Sequence, residues 1–189
     1  MNKTVKQLID EQLIEHYIKL LNDWNKHINL VQTNSLKNVR KRHIEDCLQL
    51  IPYLPKDGTI FDIGSGAGFP GVVLAIAGFR NLVLVEKNLK KAVFLKEVRR
   101  VLNLNYEVYC GDVYSLHTTT YKIPLFATSR AFSSLQTLIE IMQKLSIPCG
   151  LFPRGENGMS EIEKLSNVNY QIINTLLPNV GVLLKIQLL

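Results

Sequence analysis

The first part of the chain carries apolar residues at the three- and four-residue spacing of amphipathic helices. Between residues 5 and 28 they fall on one helical face, at positions Leu13, Tyr17, Leu20, Leu21, Trp24 and Ile28. A second pattern of this kind runs from Leu36 to Ile51, and Pro52 and Pro55 end it. The patterning therefore predicts a helical N-terminal extension over residues 1–57, packed on the rest of the chain.

From residue 58 onward, short β-rich segments alternate with helical ones. The predicted strands are Thr59–Ile63, Leu82–Val85, Tyr106–Cys110, Leu125–Thr128 and Cys149–Phe152. The predicted helices lie near residues 70–78, 89–102, 133–145 and 158–165. This alternation is typical of βαβ units and a parallel sheet with helices on both faces. Two final segments, Tyr170–Thr175 and Val182–Leu188, predict a terminal antiparallel hairpin, so residues 58–189 form one Rossmann-like α/β core.

A glycine-rich segment follows the first predicted strand. It places Gly64, Gly66 and Gly68 at alternate positions before the next helix. Glycine lets the backbone curve tightly and approach a ligand closely, and a helix N-terminus supplies free N–H groups. Glu86 ends the second strand, 20 residues after Gly66, where a carboxylate can accept hydrogen bonds from ribose hydroxyls. The segment therefore predicts a site for a nucleoside-containing cofactor.

The identity of that cofactor depends on the neighbours of the glycines. Gly66–Gly71 fits the GxGxxG dinucleotide fingerprint, so a small NAD-binding oxidoreductase stays a hypothesis. Asp62 lies two residues before the first glycine, where its carboxylate would face the cofactor. A carboxylate suits the sulfonium and ammonium groups of S-adenosylmethionine better than a pyrophosphate. The sequence after Gly58 also leaves little room for a dehydrogenase's second domain, so S-adenosylmethionine is favoured.

Positive charge is concentrated in two places. The chain has 22 Lys and Arg residues against 16 Asp and Glu residues, a net charge of +6. The clusters are Lys37–His43 and Lys87–Arg100. Local positive fields attract polyanions such as nucleic acid, although a solvated helix face would carry the same charges. A non-catalytic nucleotide-sensing or ribosome-binding module is therefore a third hypothesis.

The cysteines, the N-terminus and the longest apolar stretches indicate the compartment. Cys47, Cys110 and Cys149 are odd in number and form no CxxC pair, so we expect reduced thiols and no metal site. Cys110 and Cys149 fall in predicted strands, where buried thiols are expected. The first residues lack the apolar region of a signal peptide, and the apolar stretches are too short to span a bilayer. We expect a cytoplasmic monomer without a membrane partner.

Four segments together resemble one known family. They are Asp62–Gly71, Trp24–Leu30, Arg42–Leu48 and Ser129–Leu135. They resemble the bacterial glucose-inhibited division protein B family, whose members methylate N7 of one guanosine in 16S ribosomal RNA. The resemblance implies a class I methyltransferase fold, S-adenosylmethionine as cofactor, and 16S ribosomal RNA or the small ribosomal subunit as partner.

The family's cofactor contacts map onto particular positions of this chain. The resemblance implies contacts at Gly64 and Phe69, at Arg130 after the fourth strand, and at Val113 and Tyr114, which flank the adenine. With the residues named above, the predicted cofactor site consists of Asp62, Gly64, Gly66, Gly68, Phe69, Glu86, Val113, Tyr114 and Arg130.

The chain departs from the family pattern at several positions. Tyr114 stands where the family commonly has an acidic residue, and Asp112 is the alternative acidic partner. Cys47 replaces a usual Ser, and Arg154 replaces a usual Lys. The end of the chain also lacks the basic tail of some members. These differences concern the adenine contact and the RNA contacts.

Methylation of guanine N7 makes modest chemical demands. The N7 lone pair lies in the ring plane, so no general base is required and no catalytic residue is predicted. Alignment of the reactants alone can supply roughly 7–11 kcal/mol, once the base has been unstacked from the RNA. A cation near guanine O6 would hold the base, and Arg130 or Arg154 is the candidate. The expected RNA contacts are Arg42, His43, Lys87, Lys90, Lys91 and Arg154.

Arg42, His43 and Asp46 lie three and four residues apart and so share one helical face. In one interpretation Asp46 pairs with His43 or Arg42 and docks the extension on the sheet. In the other, this face closes the substrate pocket. The sequence does not separate the two.

Overall fold

A computed structural model describes residues 9–130, 133–155, 158–162, 165, 168–174 and 181–189. Several predicted positions lie outside the described residues: residues 5–8 of the first helix, 163–164 of the last one, Thr175 of the hairpin, and Ala131 and Phe132 of the fourth family segment.

The N-terminal extension begins with one regular helix, α1, which spans Glu11–Asn25. Asp10 caps it, because its side chain accepts hydrogen bonds from the N–H groups of Gln12 and Leu13. The helix ends three residues before the predicted residue 28. There the Asn25 side chain accepts hydrogen bonds from the N–H groups of Leu30 and Val31, which turns the chain away from the helix axis.

The second predicted helix of the extension is broken into short pieces. They are α2 (Thr33–Leu36), a π-helical turn (Arg40–Ile44), α3 (Glu45–Leu48) and a 3-10 turn (Ile51–Tyr53). The prediction of one continuous helix was wrong because tertiary contacts set the local geometry. Arg40 pairs with Glu11 and Glu15 of α1, at 2.7 and 2.6 Å, and single π-helical turns are frequent at functional sites.

The remaining elements alternate between strand and helix. The strands are β1 (Thr59–Ile63), β2 (Leu82–Glu86), β3 (Glu107–Cys110), β4 (Leu125–Thr128), β5 (Cys149–Arg154), β6 (Val168–Asn174) and β7 (Val182–Leu188). The helices are α4 (Gly71–Ile76), α5 (Leu89–Val101), α6 (Leu135–Lys144) and α7 (Gly158–Ile162), and Val113–Ser115 forms a 3-10 turn.

These strands form one sheet in the order β3-β2-β1-β4-β5-β7-β6. The first five strands run parallel, with Ile63 opposite Val85 and Asp62 opposite Thr128. Strand β7 is antiparallel to both β5 and β6. The predicted mostly parallel sheet with a terminal antiparallel hairpin is therefore confirmed.

The sheet is buried on both faces. Alternate residues of β1 enter different apolar clusters: Ile60 joins the cluster that contains Tyr17 and Leu21 of α1, and Phe61 joins the cluster below α6. Helices cover both faces of this part of the sheet, so β1 and β2 are buried along their whole length. Such strands are nearly continuous apolar runs. The helices of the extension thus share one apolar cluster with the sheet.

The cysteines only partly follow the expectation. Cys47 is buried, but Cys110 is exposed and Cys149 is half-buried. The prediction of a buried Cys110 was wrong because β3 is the edge strand of the sheet and Cys110 is its last residue. Within the described part of the chain, no helix is long and apolar enough to cross a membrane.

Leu21→Ala tests whether the extension and the sheet unfold together. Leu21 is fully buried in the shared cluster, so its truncation is expected to lower the free energy of unfolding by about 2–5 kcal/mol. Urea unfolding followed by circular dichroism should show one transition at lower urea. Lys19→Ala, on the exposed side of the same helix, is expected to change stability by less than about 0.5 kcal/mol. Separate transitions for the helices and the sheet would contradict the prediction.

Candidate functional site

The glycine loop begins where β1 ends. Gly64, Gly66 and Gly68 have φ angles of 72°, 55° and 96°, a region that side chains with a Cβ rarely adopt. The loop is fixed to the next strand, because the N–H groups of Gly64 and Ser65 both donate to the carbonyl of Val85. The glycines are therefore required by the backbone path of this loop.

A cavity of about 550 Å³ opens beside this loop, at the carboxyl ends of the parallel strands. Ligand sites of α/β sheets commonly lie at this edge. The predicted cofactor residues that line it are Gly64, Gly66, Phe69, Glu86, Val113, Tyr114 and Arg130. Of the residues predicted to contact RNA, His43, Lys87 and Lys91 line it too. One cavity thus brings together residues that are far apart in the sequence.

Asp62 does not line the cavity. Its carboxylate is fully buried beneath the loop, and its Oδ2 accepts a hydrogen bond of 3.0 Å from the N–H of Gly71. Burial raises the pKa of Asp62 to about 7. The prediction that this carboxylate faces the cofactor was wrong, because the side chain points back to hold the start of α4.

Gly68, Lys90, Arg42 and Arg154 also lie outside the cavity lining. Gly68 packs so closely on α4 that an added Cβ would overlap Val72. Lys90 and Arg42 are exposed. Arg154 is buried, and its Nη1 donates to the carbonyl of Ser133 at 3.1 Å. Burial lowers the pKa of its guanidinium.

Glu86 is held in a defined orientation at the end of β2. Its Oε2 accepts a hydrogen bond of 2.9 Å from the N–H of Gly66, and its Oε1 accepts one of 2.8 Å from the N–H of Asn88. The side chain is buried yet lines the cavity. Each carboxylate oxygen can accept further hydrogen bonds, so two oriented acceptors are available to a ligand.

Phe69 lies among side chains of the extension. The ring of His43 stacks on it at a centroid distance of 4.8 Å, and Tyr17 meets its edge at 5.6 Å. The hydroxyl of Tyr17 donates to the carbonyl of Ala67 in the glycine loop. The Arg130 guanidinium lies 5.8 Å from the Phe69 ring centre. Helix α1 and the π-helical turn thus fix the loop from outside the sheet.

Arg130 joins β4 to the extension through three contacts. Its Nε donates to Oδ2 of Asp46 at 2.9 Å and its Nη2 to the carbonyl of Arg42 at 2.7 Å. Its Nη1 contacts Nδ1 of His43. The expected pairing of Asp46 with His43 or Arg42 was therefore wrong: the carboxylate binds a cation on the sheet side. Helical spacing could not predict the ion pair between Asp46 and Arg130, because Arg130 lies in the core and not on the same helix.

The contact with Arg130 also fixes the tautomer of His43. A guanidinium can only donate, so Nδ1 of His43 accepts and the ring proton lies on Nε2. Burial, assisted by the charges of Arg130 and Arg42, lowers the pKa of His43 to about 4. His43 is therefore a neutral ring at pH 7.

Several residues that line the cavity were not predicted, and two of them belong to the extension. Leu30 and Val31 line the cavity from the extension, and both of their N–H groups donate to Oδ1 of Asn25 at 2.9 Å. In the sequence, Trp24–Leu30 is one of the four segments that resemble the family. Its asparagine shapes one wall of the cavity.

The cavity fits a nucleoside-containing ligand. A Cβ at Gly66 would meet nothing nearer than the carbonyl oxygen of Gly64 at 3.8 Å, so there is free space above the loop. Glu86 supplies two acceptors for hydroxyl groups, and Val113 and Phe69 supply apolar surface. The residues present thus fit an adenosine with a polar tail, such as S-adenosylmethionine.

Comparison with known proteins places the chain among methyltransferases. Residues 10–175 match the family described as rRNA small subunit methyltransferase G. A relative of that name from Rickettsia bellii is 39% identical over 147 residues, which cover 77% of this chain and 74% of the relative. The one from Rickettsia felis is 36% identical over 164 residues, covering 86% and 82%.

Solved structures show the same fold at low sequence identity. A putative S-adenosyl-L-methionine-dependent methyltransferase from Methanococcus maripaludis has a TM-score of 0.60 at 15% identity, covering 90% of this chain and 91% of that one. The 16S rRNA methylase RmtB has a TM-score of 0.59 at 13% identity, covering 96% and 76%. The match over residues 10–175 and the relatives at 39% and 36% identity show that the chain belongs to the rRNA small subunit methyltransferase G family.

Proposed function

We propose that the protein transfers the methyl group of S-adenosylmethionine to N7 of a guanosine in 16S ribosomal RNA. The observation that carries this proposal is the shared cavity, in which the glycine loop and the oriented carboxylate of Glu86 meet two lysines. The first two features suit the cofactor and the lysines suit an RNA. Family membership supports the same reaction.

The cofactor would extend across the carboxyl ends of β1 to β4. Glu86 would accept hydrogen bonds from the ribose hydroxyls, and Val113 and Tyr114 would flank the adenine. Gly64, Gly66, Phe69 and Arg130 would border the methionine end. When bound, the cofactor supplies an activated methyl group on a positively charged sulfur. The chain's part is to orient the reactants and to exclude water.

No proton transfer is needed for attack by N7, so catalysis would rest on alignment of the reactants. His43 is neutral and engaged with Arg130, and Asp62 is buried away from the cavity. Neither is placed as a general base. Holding the reacting atoms in line can lower the barrier by roughly 7–11 kcal/mol.

The RNA would approach over the start of α5. Lys87 and Lys91 line the cavity, and Lys90 is exposed beside them. Arg42 adds an exposed cation on the extension. Arg40 differs, because it pairs with two glutamates of α1. The proposed RNA surface lies around the mouth of the cavity and consists of Arg42 and of Lys87, Lys90 and Lys91. These three are called the α5 lysines because they lie just before or in the first turn of α5.

The other two hypotheses are less favoured. An NAD-binding oxidoreductase was suggested by the glycine spacing Gly66–Gly71, but residues 10–175 match a methyltransferase family. A non-catalytic ribosome-binding module would share the basic surface but transfer no methyl group.

Methyl transfer from labelled S-adenosylmethionine tests the proposal. The protein is incubated separately with 16S ribosomal RNA and with isolated small subunits, followed by digestion and nucleoside analysis. We expect labelled 7-methylguanosine from at least one of the two substrates. A label in another nucleoside would disprove the N7 assignment, and the absence of any label would favour a non-catalytic module.

Substitution of Glu86 tests the proposed contact with the ribose. Glu86→Ala removes both proposed ribose acceptors, so we expect S-adenosylhomocysteine to bind more weakly by about 1.5–3 kcal/mol, the range for hydrogen bonds to charged groups. Calorimetry with a 2′,3′-dideoxy analogue should show a smaller loss, because that ligand lacks the hydroxyls. Equal losses for both ligands would mean that Glu86 acts only by holding the loop through Gly66.

Substitution of the α5 lysines tests the proposed RNA surface. Changing Lys87, Lys90 and Lys91 together to Ala is expected to raise the dissociation constant for RNA. The plot of log K against log salt should become less steep, by about 0.7 in the magnitude of its slope for each lost single-strand phosphate contact.

The control for the lysine variant removes the same charge elsewhere. The control variant changes three exposed lysines that lie towards the amino ends of the parallel strands, away from the cavity: Lys56, Lys122 and Lys144. Their joint change to Ala should leave the salt slope close to that of the wild type. Equal slopes for both triple variants would mean that the α5 lysines form only a solvated face.

A further inference from the structure

Arg130 places a positive charge at the wall of the cavity. Its side chain is 20% exposed and lines the cavity near Phe69. Behind it, on the extension, Asp46 is 7% exposed, and its Oδ2 lies 2.9 Å from Arg130 Nε. The counter-ion is therefore held on the far side of the guanidinium from the ligand.

The other ionisable groups near Arg130 do not act as its counter-ion. His43 contacts Nη1 as a neutral ring, and Arg42 contributes its carbonyl oxygen. Glu86 lines the cavity, but its oxygens accept hydrogen bonds from Gly66 and Asn88. In the part of the chain that the structure describes, Asp46 is the carboxylate that forms an ion pair with Arg130.

The two forms of the cofactor differ in charge. S-adenosylmethionine carries a sulfonium, an ammonium and a carboxylate, a net charge of plus one. S-adenosylhomocysteine has lost the methyl group and the sulfonium charge, so its net charge is zero. An uncompensated guanidinium in the cavity wall would therefore repel the methyl donor more than the product. In a partly buried site of low effective dielectric such repulsion is substantial.

We propose that Asp46 is a specificity-determining residue that cancels the charge of Arg130, so that the cavity accepts the cationic methyl donor as readily as its neutral product. This inference rests on the proposed use of S-adenosylmethionine. It assigns to the Arg42–Leu48 segment a role in cofactor choice in addition to docking the extension. The guanidinium then supplies hydrogen-bond donors to the ligand without an uncompensated charge.

Asp46→Asn separates charge from docking. The amide is nearly the same size as the carboxylate, and its oxygen can still accept the hydrogen bond from Arg130 Nε. Isothermal calorimetry on the full chain gives dissociation constants for S-adenosylmethionine and S-adenosylhomocysteine, without RNA. In Asp46→Asn we expect the constant for the donor to rise about tenfold, and that for the product to change less than about twofold. The cationic analogue sinefungin should behave like the donor.

Two variants serve as controls. Asp57→Asn removes a carboxylate at the end of the extension, where it lies 3.5 Å from Lys122, and should leave the ratio of the two constants unchanged. Asp46→Glu keeps the charge but moves it, so both constants can rise while their ratio stays near the wild-type value. Equal weakening of donor and product by Asp46→Asn, or no weakening of either, would overturn the proposal.

The test also separates this inference from the proposed function. If the wild-type protein binds neither ligand, the proposed cofactor is wrong. If it binds both and Asp46→Asn leaves their ratio unchanged, only the role of Asp46 is wrong. Should Asp46→Asn fail to fold, the double variant Asp46→Asn with Arg130→Met removes both charges together and leaves no buried carboxylate without its cation. If Asp46 cancels the charge of Arg130 in the wild type, the ratio of the two constants should stay near the wild-type value, and a shift toward tighter relative binding of the cationic donor would overturn the proposal.

Discussion

The ion pair between Asp46 and Arg130 joins the two parts of the molecule at the place where a ligand would bind. Removing one partner of a buried pair leaves an uncompensated charge and is strongly destabilising, so neither part can shift independently. With the pair in place, His43 lies flat on Phe69 and Tyr17 reaches the carbonyl of Ala67. The extension thereby forms one wall of the cavity, to which Leu30 and Val31 also contribute.

The parallel sheet supplies the other half of the site. Strands β1 to β4 run in the same direction, so the residues that follow them gather at one edge. The glycine loop, Glu86, the turn at Val113 and Arg130 each follow a different strand. Helices on both faces bury the strands, which leaves this edge as the accessible place for polar groups. The topology explains why residues from four strands line one cavity.

Polar side chains near the site divide into those that hold the fold and those that face the cavity. Asp62 and Glu86 both lie at strand ends, yet Asp62 is fully buried and holds α4, whereas Glu86 reaches the cavity. The α5 lysines face the cavity mouth, whereas Arg40 is taken up by α1. Arg154 is withdrawn into the core. Residue type alone therefore does not decide which charge meets a ligand.

The sequence by itself determined the sheet, its terminal hairpin, the glycine loop and the position of Glu86. Alternation of apolar residues and the placement of glycines are local signals, and they depend on backbone geometry that neighbours in sequence impose. The tertiary structure alone decided the partner of Asp46, the break of the second helix and the direction of the Asp62 carboxylate. Arg130 is 84 residues from Asp46 along the chain, and helical spacing carries no information about contacts across that distance. Whether a side chain at the end of a strand faces the cavity is likewise set by packing, because burial and long-range contacts outweigh the conformational preference of the local sequence.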